Sequence, residues 1–181
     1  MIKAVEKYKI AIYSIACGLF YFVFSISTEY GDGGKQAFMI LMLFLPGVTF
    51  PIGTSYFNLS RLKNVELRIF FHFMLSVMLY HGTVWVSSLE RKIDSIIVMD
   101  GFVGSLFYLI ITMIIMSVRM KTLEILLISI ISGLAFLPFA FIDNSITNCG
   151  IGVFIWTIAN GVYLNYCKNR MLLTSPTLNA D

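Results

Sequence analysis

The sequence predicts an all-α integral membrane protein: a six-transmembrane-helix bundle with both termini in the cytoplasm and the second helix kinked by Pro46 and Pro51. Three observations predict it. Hydrophobic residues make up 58% of the chain and charged ones 13%, whereas soluble domains carry roughly 45–50% and about 25%. The apolar residues gather in six runs, Ile10–Ser27, Ala37–Asn58, Ile69–Ser88, Ile96–Val118, Ile125–Ile142 and Gly150–Tyr166, each close to the ~20 residues a tilted span needs. Basic residues also divide unevenly between alternate connectors. With the N-terminus inside, the cytoplasmic segments hold Lys3, Lys7, Lys9, Arg61, Lys63, Arg68, Arg119, Lys121, Lys168 and Arg170. The outer loops hold only Lys35, Arg91 and Lys92, together with the acids Glu29, Asp32, Glu90, Asp94, Asp100 and Asp143. An excess of Lys and Arg marks the cytoplasmic side.

Taken in order, Met1–Lys9 is a short basic lead into an apolar run longer than the core of an ordinary signal peptide. No Ala-x-Ala-like site follows, so an uncleaved first span is expected. That span carries small or polar residues at helical spacing, Ser14, Cys17, Gly18, Tyr21 and Ser25, as a helix-packing face does in lipid. The second run contains Leu45–Gly53, in which Pro46 is followed by Gly47 and Pro51 by Gly53. Proline removes a backbone donor and weakens the helix, and groups freed in lipid must find partners on neighbouring helices. The remaining spans are therefore expected to pack around this one.

The third run carries both histidines, His72 and His81, which nine residues at about 100° each place on opposite faces. They cannot share one metal ion on a straight helix. His81 lies deeper and beside Trp85, which makes it the stronger candidate. The fourth opens near Asp100, whose carboxylate suits the first turns of a helix or, with Glu90 and Asp94, an acidic outer mouth. The fifth repeats the small-residue stripe at Ser129, Ser132, Gly133, Phe136 and Ala140. The sixth places Asn160 at mid-depth near Trp156 and Tyr163, where an amide serves as an interhelical hydrogen-bonding group. Residues 1–171 form a single six-span domain, and 172–181 a flexible cytoplasmic tail.

Chemistry-bearing patterns are sparse. No Asp, Glu, Lys or Arg lies near the middle of a span, where such groups mark proton relays and ion paths. A proton-coupled pump or ion-coupled transporter is disfavoured accordingly. Gly53-Thr54-Ser55-Tyr56 lacks the second glycine of a nucleophile elbow, and no His-Glu-x-x-His or Cys-x-x-Cys occurs. The expectation is no enzyme, no cofactor, no metal and no nucleic-acid partner. Candidates for binding a partner or ligand are His81, Trp85, Glu90, Asp94, Asp100, Trp156 and Asn160, with Pro46, Gly47, Pro51 and Gly53 as the helix kink.

In number and length of spans the chain resembles the substrate-binding subunits of energy-coupling-factor vitamin transporters. The likeness is of topology and size alone, since Ile10–Ser27 lacks their Ala-x-x-x-Ala pattern. The leading expectation is a small bacterial inner-membrane protein that binds another membrane protein or a second copy of itself, as immunity, exclusion and accessory subunits do. The alternative is a binding or transport subunit for a small, largely uncharged molecule.

Overall fold

The computed structural model describes residues 2–30, 47–55, 64–89, 96–142 and 145–173. Every element among them is a helix: α1 (Ile2–Tyr30), α2 (residues 47–55), α3 (Val65–Leu89), α4 (Ile96–Ile115), α5 (Thr122–Leu134), α6 (Leu137–Phe141) and α7 (Ile146–Leu173). Among the described residues, four helical stretches are long and apolar enough to cross a membrane: Lys7–Tyr30, Ile96–Ile115, Thr122–Phe141 and Ile146–Met171. Pro46 and most of the second apolar run lie outside the described residues, while residues 47–55 are helical through Pro51 and Gly53.

The first and last helices are zipped from Lys7 to Glu29 of the first. Asn169 Nδ2 donates to Lys7 O at 3.2 Å, and Thr147 N donates to Glu29 Oε2 at 2.6 Å. Between these ends Ser14 sits on Gly161, Gly18 on Thr157, and Ser25 on Gly150. The residue numbers of every facing pair add to 175 or 176, a continuous antiparallel register. The hydroxyls in this seam bond their own helices, Ser14 to Ile10 O at 2.8 Å, Ser25 to Phe22 O at 2.7 Å and Thr157 to Phe154 O at 2.9 Å. The seam thus behaves as a small, self-satisfied surface that lets two backbones approach closely. The stripe seen in the first span is this surface.

The fifth apolar run is interrupted. Pro138 cannot donate to Leu134 O, and the chain turns at Ala135–Phe136, with Phe136 N reaching Gly133 O at 3.0 Å before α6 begins. The turn swings the Phe136 ring into a slot between Gly101 of α4 and Gly152 of α7, where any Cβ would collide with it. Gly133 lies against Val98 O and Phe102, which brings α4 and α5 together.

Polar and apolar side chains are distributed as hydrocarbon, rather than water, would favour. Buried positions include Ser14, Ser25, Thr54, Ser55, His72, Ser105, Thr112, Ser129, Ser132, Thr157 and Asn160. Exposed ones include Leu19, Phe20, Val23, Phe70, Met78, Ile114, Leu127, Ile130 and Val162. Among the described residues, basic side chains gather at one end. Arg170 Nη2 bonds Arg119 O at 3.1 Å, Arg68 Nη1 bonds Ile115 O at 2.6 Å, and Lys7 lies opposite Asn169. Glu29 marks the other end, at the start of α7.

Candidate functional site, a buried network around the second helix

The nine described residues of α2 lie inside the bundle, with Phe50, Thr54 and Ser55 at most 2% exposed and only Ile52 turned outward. The face toward α1 is held by tyrosines. Tyr13 OH donates to Thr49 O at 2.6 Å, Tyr21 OH lies 2.7 Å from Thr49 Oγ1, and Cys17 Sγ approaches the same hydroxyl at 3.6 Å. Gly53 and Gly47 let the rings of Tyr13 and Tyr80 lie directly on the α2 backbone.

On the opposite side, His72 bridges α2 to α4. Ser55 Oγ lies 2.6 Å from His72 Nδ1, and His72 Nε2 lies 2.8 Å from Thr112 Oγ1. The proton positions follow from the last link. Thr112 Oγ1 donates to Tyr108 O at 2.7 Å, so toward His72 it can only accept. Nε2 therefore carries a proton toward Thr112. Tyr108 continues the chain by a short hydrogen bond to Thr54, which donates to Phe50 O at 2.9 Å. The rings of Phe50, Tyr108 and Trp156 pack around this point with centroids 5.3–5.9 Å apart.

A third group of bonds joins α4, α5 and α7. Asn160, wholly buried, accepts from Ser105 Oγ at 2.8 Å and donates to Ser132 Oγ at 3.1 Å and to Trp156 O at 2.9 Å. Trp156 Nε1 donates to Gly101 O at 3.1 Å. At the basic end, Glu124 receives Arg170 Nη1 at 3.1 Å and Tyr163 OH at 3.1 Å, tying the start of α5 to the end of α7.

Of the candidates named from sequence, Trp156 and Asn160 are brought together in the interior, and Gly47, Pro51 and Gly53 line the buried α2 backbone. His81 is half-buried, its ring edge-on to Tyr80 at 5.6 Å, and Trp85 is 64% exposed. Asp100 is half-buried and lies a full turn inside α4 rather than at its start. Glu90 and Asp94 lie outside the described residues. The sequence ranked His81 above His72, yet His72 is the wholly buried one and the one that joins three helices. Its spacing from Ser76 on one face was the signal available. Its partners Ser55 and Thr112 come from other helices, so nothing local could reveal them.

Ser55 and His72 have the separation of a nucleophile and its base. The far ring nitrogen, however, meets a threonine hydroxyl, where such a pair is ordinarily oriented by a carboxylate. With both side chains at most 1% exposed, the pair functions as an interhelical fastener. Among the described residues no three His, Cys, Asp or Glu side chains converge to hold a metal ion. No protein-family model, curated protein or solved structure matches this chain.

Proposed function

We propose that the chain is a six-span protein of a bacterial inner membrane, with both termini cytoplasmic and α2 kinked at Pro46 and Pro51. It acts by binding another membrane protein, as an immunity, exclusion or accessory subunit does, and not by catalysis. The orientation rests on Lys7, Arg68, Arg119, Lys121, Lys168 and Arg170 gathering at one end, the pattern of a cytoplasmic face. The observation that carries the functional reading is how the interior polar groups are used. Thr49 bonds the Tyr21 hydroxyl, Ser55, His72 and Thr112 bond in a chain, Thr54 bonds Phe50 O, and Asn160 bonds Ser105 and Ser132, so most of their hydrogen-bonding capacity goes into holding helices together. The outward surface of Leu, Ile, Phe and Met is left for lipid and a partner.

A second reading, a binding subunit for a small uncharged molecule, is supported by the Phe50, Tyr108 and Trp156 rings. Purification from native membranes in mild detergent, with mass spectrometry of proteins and of solvent extracts, separates the two. The partner reading expects one membrane protein at fixed stoichiometry, recovered again when that protein carries the tag. A monodisperse chain that releases one stoichiometric small molecule would contradict it and favour the second reading.

A further inference from the structure

The packing of α2 on α3 brings together two polar groups that none of these networks uses. Ser55 meets His72, and Gly47 lies against Tyr80. Both pairs of residue numbers add to 127, so the helices run antiparallel and Pro51 stands opposite Ser76. Both residues are buried, Ser76 to 2%. Other interior hydroxyls in the bundle donate to the carbonyl four residues back, as Ser14, Thr54, Thr112 and Ser129 do. Ser76 Oγ does not, and finds no hydrogen-bond partner among the described residues.

Across the seam, Pro51 has no N–H, so the carbonyl of Gly47 lacks its helical donor, and the proline ring pushes that carbonyl aside. Gly47 itself faces α3, since Tyr80 covers it. A hydroxyl free to donate and accept and a carbonyl without its donor thus share one buried layer. In hydrocarbon neither can turn to solvent.

We propose that a single water molecule binds between Pro51 and Ser76, donating to Gly47 O and hydrogen-bonding Ser76 Oγ. Water matches the set because it both donates and accepts and needs only two to four polar partners in about one probe sphere of room. A proline ring keeps the carbonyl four residues back from closing the helix, and that gap would supply the room. The bound water takes the place of the N–H that proline lacks, so this turn of α2 is closed by an exchangeable ligand.

Water-edited solid-state NMR of the whole, isotopically labelled chain in lipid bilayers tests this directly. Magnetisation from water should reach Pro51 Cδ and Ser76 Cβ at short mixing times, while Ile10 and Leu164, both fully buried, stay dark. In Ser76→Ala the Pro51 signal should fall severalfold, and in Pro51→Ala the restored N–H should do the same at Ser76. The ring-nitrogen shifts of His72 report that each variant is folded. No early transfer to Pro51 and Ser76 in the wild type would overturn the proposal without recourse to a variant. Equal transfer to Ile10 and Leu164, or undiminished transfer to Pro51 in folded Ser76→Ala, would overturn it as well.

Discussion

Ser55 Oγ lies 2.6 Å from His72 Nδ1, and this contact fastens the second helix to the third one turn inward of Arg68. Because Thr112 holds the other ring nitrogen at 2.8 Å, one imidazole sets the spacing of three helices. Replacing it leaves two buried hydroxyls to find other partners.

His72→Ala should therefore lower stability by about 1–3 kcal/mol, the usual cost of leaving buried polar groups unpaired. Reversible unfolding in mixed micelles measures it. His81→Ala, at a half-buried position, should cost less than His72→Ala by about 1 kcal/mol or more. An equal loss from both would deny His72 its joining role.

The glycines divide into two classes that mutagenesis can tell apart. At Gly18 an added Cβ would lie 2.9 Å from Phe154 Cδ2 and 3.1 Å from the Phe154 carbonyl oxygen, inside the α1–α7 seam. Gly18→Val should push the helices apart and cost on the order of 1–3 kcal/mol. Among the described residues, nothing lies within 4 Å of such a Cβ at Gly82 or Gly104. Alanine there should be tolerated or should stabilise by up to about 1 kcal/mol through helix propensity. Thermal shift of the purified protein in detergent reads all three.

Asn160 offers a test of the third network. Asn160→Leu removes bonds to Ser105 and Ser132, and the serines can then turn to their own helices. The expected loss is about 1–2 kcal/mol, the scale of interhelical hydrogen bonds in membranes. Ser105→Ala in the Asn160→Leu background should cost nothing further, a non-additivity that a double-mutant cycle detects.

The orientation is checked by reporter fusions. Those after Lys63, Arg119 and the last residue should read cytoplasmic, and those at Asp32, Asp94 and Asp143 should not. A single robust reversal breaks the six-span topology.

What the sequence could and could not reveal follows the reach of each signal. The stripe Ser14, Cys17, Gly18, Tyr21, Ser25 was legible because helical spacing is local, and so was the packing role of small residues. That its mate would be α7, in one register from Lys7 to Glu29, depends on which helices meet. The turn at Ala135–Phe136 had a visible cause in Pro138, yet the ring slot between Gly101 and Gly152 is assembled from three helices. His72 and His81 look alike along the chain, and only the tertiary partners Ser55 and Thr112 separate them. Asn160 and Trp156 were found because mid-span amides and indoles must satisfy their polar groups inside the bundle.

The placement of α2 against the first helix is the point on which the rest depends, and Cys17 supplies a native probe of it. Its sulfur lies 3.6 Å from Thr49 Oγ1, so Thr49→Cys, with Cys149 and Cys167 replaced by Ser, puts two sulfurs in contact. Mild oxidation in native membranes should join positions 17 and 49, as seen by peptide mass. Ile52→Cys, on the outward side at 49% exposed, should not react. No bond between 17 and 49 in folded protein, or an equal yield from position 52, would contradict a bundle built around the second helix.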